Sequence, residues 1–109
     1  ALAVHEGPAD AEAASALLAA LGLKAIRLRE PPLEALAGML VTAALYLGND
    51  SGVSHLAAAV GAPSVVLFTR TLLGWRPWAT ASGLRVVSTG GIVPADLAGV
   101  LAAARAAMA

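Results

Sequence analysis

The stretch Leu45-Tyr46-Leu47-Gly48-Asn49-Asp50-Ser51-Gly52-Val53-Ser54-His55-Leu56-Ala57-Ala58-Ala59 gathers groups capable of chemistry into one short interval. An apolar run stops at Gly48-Asn49, polar residues follow, and a helical run begins near Ser51, so these groups fall on a strand-to-helix turn. A helix start presents unpaired N–H groups and a partial positive charge, and both favour an anion. Gly52 lets phosphate oxygens approach the backbone with no Cβ in the way. Ser51 adds a hydroxyl donor, and His55, four residues on, shares the helix face and reaches the same anion. Asp50 repels a phosphate, so its carboxylate either caps the helix or accepts hydrogen bonds from hydroxyls such as a sugar supplies. Asn-Asp-Ser-Gly is also ordinary turn and N-cap chemistry, and these residues alone leave both readings open.

Other chemistries fit less well. Asp50, Ser51 and His55 do not form a hydrolase triad, because the segment lacks the Gly-x-Ser-x-Gly elbow and triad members come from separate elements. His5 and His55 are the only histidines, cysteine is absent, and no ligand pair has metal-site spacing. A dinucleotide-dependent dehydrogenase is disfavoured because no Gly-x-Gly-x-x-Gly follows a strand. The formal net charge is zero and Lys/Arg residues are not clustered, so a nucleic-acid footprint is missing. No apolar run reaches the roughly 18 residues of a membrane span, and the N-terminus lacks signal-peptide order.

The elements that must position the turn follow from the alternation of apolar runs and breakers. Strands are predicted at Ala1 to His5, Ala25 to Leu28, Leu45 to Leu47, Ser64 to Phe68 and Leu84 to Ser88. Helices are predicted from about Ala11 to Leu21, Leu33 to Ala43, Ser51 to Val60 and Pro94 to Met108. Asp10 is placed to cap the first helix and Gly22 to end it, while Pro32 suits the first turn of the second. Pro94 or Asp96 starts the last helix, and a loop with Trp75, Pro77 and Trp78 precedes the last strand. Short strands alternating with helices of about ten residues mark βαβ units and a parallel sheet. The 109 residues fit one small domain. With 59% hydrophobic residues, much of it alanine, and 4% aromatic, the core is expected to be Leu, Val, Ile and Ala. Open parallel sheets bind ligands at the carboxyl ends of their strands, where the polar turn lies.

The longer string from Leu47 to Pro63, with Asp50-Ser51-Gly52-x-x-His55-Leu56-x-Ala58-Ala59 at its centre, Gly61-Ala62-Pro63 after it and then Ser64-Val65-Val66-Leu67-Phe68, resembles the bacterial heptosyltransferases, glycosyltransferase family 9. Gly7-Pro8-Ala9-Asp10 resembles that family's turn after an earlier strand. Pro31-Pro32-Leu33-Glu34 resembles its loop entering the preceding helix, and Trp75, Pro77 and Trp78 its late Trp/Pro region. The likeness covers nearly the whole chain.

The resemblance implies an α/β, Rossmann-like domain: the C-terminal, donor-binding half of a GT-B glycosyltransferase. Such an enzyme transfers a sugar from a nucleotide donor, usually ADP-heptose, to a lipopolysaccharide-type acceptor, with inversion and without a metal or cofactor. It implies that Ser51 and Gly52 contact the diphosphate, Asp50 the donor sugar, and that His55 sits beside the phosphates. Pro31 to Leu33 would border the base, and Asp10 would approach the ribose. No catalytic residue is assigned to this chain, because the general base belongs to an acceptor-binding domain outside it. The first strand of the family's donor domain is also missing, so the chain is expected to be part of a longer protein and inactive alone. A glycolipid acceptor reached through the other domain, no nucleic-acid partner and a cytoplasmic location, compatible with the cytoplasmic face of the inner membrane, complete the implied picture. Thr69-Arg70-Thr71 departs from the family's Gly-Pro-Thr, and the acidic residue and proline usually found beyond it are missing.

Two further readings remain beside it. A GT-B sugar-nucleotide epimerase also places Asp-Ser-Gly before a helix, but continues with a second glycine and a glutamate where this chain has Val53 and His55. A non-catalytic nucleotide-sugar-binding module would keep the fold and lose the chemistry.

Overall fold

Residue order alone alternates strand and helix, and the computed structural model shows the same alternation: β1 (Ala3–Glu6), α1 (Ala11–Leu21), β2 (Ile26–Arg29), α2 (Leu33–Thr42), β3 (Tyr46–Asn49), α3 (Gly52–Ala59), β4 (Ser64–Thr69), β5 (Leu84–Thr89) and α4 (Leu97–Met108). The structure describes residues 1–22, 25–49, 51–69, 74–77, 84–89 and 96–109, with backbone alone for Thr69 and 84–89. The expected Asp50, Arg70, Trp78 and Pro94 lie outside the described residues. The architecture is α/β and Rossmann-like, every described strand pair being parallel. The strands form two sheets, β1-β2 and β3-β4-β5. The chain divides correspondingly into a first unit, Ala1–Ala35, and a second, Leu36–Ala109.

In the first unit β1 pairs with β2 in the register Ala3↔Ile26 to Glu6↔Arg29. The Glu30 amide continues the ladder onto the Glu6 carbonyl at 2.9 Å. Both strands sit one or two residues later than the apolar runs predicted, because charged Glu6 and Arg29 join the ladder and pair there. α1 packs on β1. Its buried residue is Ala14 rather than one of the leucines, since a small side chain allows helix and strand to approach closely. Gly22 ends α1 in the left-handed conformation, φ 57°, which costs a glycine nothing.

In the second unit β4 is the middle strand, flanked by β3 and β5. Val65, Val66 and Phe68 are buried, so β4 is covered on both faces, as a continuous apolar run requires. Leu36 and Leu40 of α2 pack with Ala57 and Ala62, while Ala58 of α3 packs with Val66 and Phe68. Tyr46 touches both clusters. α3 lies on β3 and β4, and α4 on β4 and β5. Among the described residues, no helix is long and apolar enough to cross a membrane.

Candidate functional site

The turn after β3 begins two strand positions later than expected, because Gly48 and Asn49 still pair with Val66 and Leu67. That register carries the chain to the carboxyl end of the sheet, next to the middle strand. Ser51 then takes an extended backbone, φ −159° and ψ 162°, as a residue entering a helix must, and Gly52 opens α3. The Ser51 hydroxyl makes no capping bond to a helix amide. The simple capping role open to Ser51 on sequence grounds is therefore not the one it plays here.

What fixes the helix start is a residue that the sequence reading passed over. Ser54 is fully buried and donates its hydroxyl proton to the Asn49 carbonyl at 2.6 Å. A serine hydroxyl has one proton and two lone pairs, so with that proton committed, Ser54 accepts from Tyr46, whose hydroxyl lies 3.0 Å away. The Ser51 hydroxyl stands at the outer limit of the same group, 3.5 Å from Ser54 Oγ. Tyr46 and Gly48 are two apart on one strand and so share a face. The phenol lies across Gly48, where any Cβ would collide with its ring and hydroxyl. The signal was present in principle: a serine in the first turn of a mostly apolar helix, and a tyrosine two residues before a glycine.

Gly52 behaves differently. Its φ is not in the left-handed range, and a Cβ built on it meets no described atom within 4 Å. Nothing in the described fold demands a glycine there. The Gly52 and Val53 amides head the helix and have no intrahelical acceptor by position. The Ser54 amide turns back to the Ser51 carbonyl at 3.2 Å. His55 is exposed on the next turn and, with Ala58 and Ala59, walls a groove of about 510 Å³ closed on its other side by Gly74–Pro77. The structure thus places Ser51, Gly52 and His55 along one end of α3.

Asp10 and Leu33 belong to the first unit. Asp10 precedes α1 but makes no side-chain cap. Its carboxylate instead accepts the Gly7 amide at 3.0 Å, while its own amide donates to the Gly7 carbonyl at 3.1 Å. The expectation that Asp10 caps α1 is corrected: the tight Gly7-Pro8-Ala9-Asp10 turn directs the carboxylate backwards. Leu33 opens α2 and is 66% exposed.

The first unit also holds a charge cluster that the sequence reading missed. Glu6, 3% exposed, accepts Arg27 Nε at 2.7 Å and Arg29 Nε at 3.3 Å on one carboxylate oxygen. Arg27 also reaches Ser15 Oγ at 3.1 Å and the Ala11 carbonyl at 3.3 Å, tying α1 to β2. The Arg27 hydrogen bond is the main cause holding the Glu6 carboxyl below its ordinary range, and it outweighs the opposing effect of burial. Arg27 is raised in return. Arg27 and Arg29 alternate on one strand face beside Glu6, a pattern visible in the sequence once the register is known.

Comparison with known proteins returns one family. The model described as glycosyltransferase family 9 (heptosyltransferase) matches residues 3–88. No curated protein and no solved structure matches the chain.

Proposed function

The chain belongs to glycosyltransferase family 9, and from that premise we propose that it is the donor-binding half of an inverting sugar transferase, with the donor's diphosphate held at the start of α3. The observation that carries this reading is Gly52. A glycine that the described fold does not require opens a helix at the carboxyl end of β3, beside the middle strand, with open space above it. Such a position suits a phosphate that hydrogen-bonds directly to backbone amides.

The chemistry is displacement at the anomeric carbon: the acceptor oxygen forms the new glycosidic bond and the nucleoside diphosphate leaves with the old bond's electron pair. Negative charge builds on the departing diphosphate, and fixed donors aimed there lower the barrier. Here the Gly52 and Val53 amides, the Ser51 hydroxyl and His55 supply those donors. Loss of one such donor costs about 10²–10³ in rate. Asp50, next to Ser51 in sequence, accepts hydrogen bonds from the donor sugar. The proton of the acceptor hydroxyl passes to a base supplied by the other half of the enzyme, so these 109 residues alone catalyse no transfer. The donor is ADP-heptose and the acceptor a lipopolysaccharide-type glycolipid at the cytoplasmic face of the membrane.

Calorimetric titration of the full-length protein with ADP-, UDP- and GDP-sugars tests the reading. Saturable binding of a nucleotide sugar without added metal is expected, with ADP-heptose the tightest. Failure of all three classes to bind would end it, and turnover by the 109 residues alone would refute the division of labour.

A further inference from the structure

The groove beside His55 has a wall that the diphosphate reading leaves unused. Pro77 is buried and so anchors the segment, yet Trp75, two residues earlier, is 70% exposed. The indole therefore offers a large, amphipathic contact surface on the wall of the groove. Across the groove, Ala58 and Ala59 carry nothing beyond a methyl group, so α3 offers a smooth wall with His55 as its polar point. The volume of about 510 Å³ falls within the range of about 300–1,000 Å³ usual for small-ligand sites.

An aromatic plate, a hydrogen-bonding edge and a small-residue wall complement a ring with an apolar C–H face and a rim of hydroxyls. We propose that Trp75 is the stacking platform for a pyranose ring of the substrate, with one ring nitrogen of His55 hydrogen-bonding a ring hydroxyl while the other serves the diphosphate, making Trp75 a specificity-determining residue. Reach supports the assignment. His55 is one helical turn, about 5.4 Å, from the helix start. A sugar joined directly to the second phosphate spans that distance, whereas the base lies beyond a ribose on the other side of the diphosphate. The proposal depends on the diphosphate sitting at Gly52.

The test compares ADP, UDP and GDP with the corresponding nucleotide sugars, in the full-length protein and in its Trp75→Ala and Trp75→Phe variants. Trp75→Ala is expected to leave nucleoside diphosphate affinity unchanged and to abolish the sugar's added affinity, a loss of roughly five- to tenfold. Trp75→Phe is expected to restore most of it. If the ring belongs to the acceptor, the loss appears instead in the KM for a deacylated lipopolysaccharide-core oligosaccharide at saturating donor, again rescued by Phe. Unchanged values in both arms, or an equal loss for nucleoside diphosphate and nucleotide sugar, overturn the proposal alone. A wild-type protein that binds no nucleotide sugar overturns the functional reading and this proposal together.

Discussion

Two strand-to-helix turns in this chain begin alike and finish differently. After β1, Gly7 to Asp10 folds onto itself: the Asp10 carboxylate takes the Gly7 amide, and a Cβ on Gly7 would stand 2.8 Å from that carboxylate oxygen. After β3, the polar bonds run inward through Ser54 and Tyr46, the Ser51 hydroxyl leaves the helix amides alone, and the space over Gly52 is open. The first turn directs its carboxylate onto its own backbone and leaves the α1 amides uncapped as well. The second is held from beneath, so its outer amides stay available. A glycine in a turn therefore says little until the atoms that surround it are known.

Substitutions can break or sharpen that contrast. Gly52→Val should weaken nucleotide-sugar binding about ten- to hundredfold, the worth of one charge-assisted hydrogen bond, while the melting temperature hardly moves. Calorimetry beside thermal denaturation reads both, and unchanged affinity in the folded variant would erase the distinction between the turns. Ser54→Ala should cost about 1–2 kcal/mol of stability in chemical denaturation, because the Asn49 carbonyl and the Tyr46 hydroxyl lose their shared partner. It should weaken binding too, since the helix start is then less firmly seated. Gly7→Ala should cost about 0.5–1.5 kcal/mol by displacing the Asp10 carboxylate from the Gly7 amide, and should not loosen the turn after β3.

The smallest effect expected is a pH dependence confined to Glu6. Its carboxyl is held below the ordinary range in the folded protein. Between the folded value and the ordinary carboxylate value the unfolded chain binds more protons, so stability rises with pH across that interval. The contribution is complete above the ordinary glutamate range and fades as acid titrates the folded group. Denaturation of wild type and Glu6→Gln from neutral to acid pH checks this: the variant should lack that part of the acid loss, and parallel curves would remove Glu6 from the account.

Sequence pattern carried the alternation of strands and helices because β4 is buried on both faces and α1 and α3 are bounded by glycine, proline or serine. It carried the turn after β3 because a polar cluster between two apolar runs has one natural place in a parallel sheet. It did not carry the ends of β1 and β2, since a charged residue normally argues against a strand and only the register of Glu6 against Arg29 reveals the pairing. Nor did it carry Asp10, whose direction depends on the path of Pro8-Ala9. Ser54 and Tyr46 were hidden for a related reason: they are eight residues apart, and only the β3–α3 crossing brings their hydroxyls together.

The phenol lying over Gly48 has an evolutionary consequence. A side chain can be gained at position 48 only if the aromatic ring at 46 is lost or turned away, and a protein that loses it must find another partner for Ser54. Positions 46 and 48 are therefore free to change as a pair and constrained singly. Relatives are expected to keep both residues or neither, and the two single replacements in this chain should combine non-additively in a double-mutant cycle.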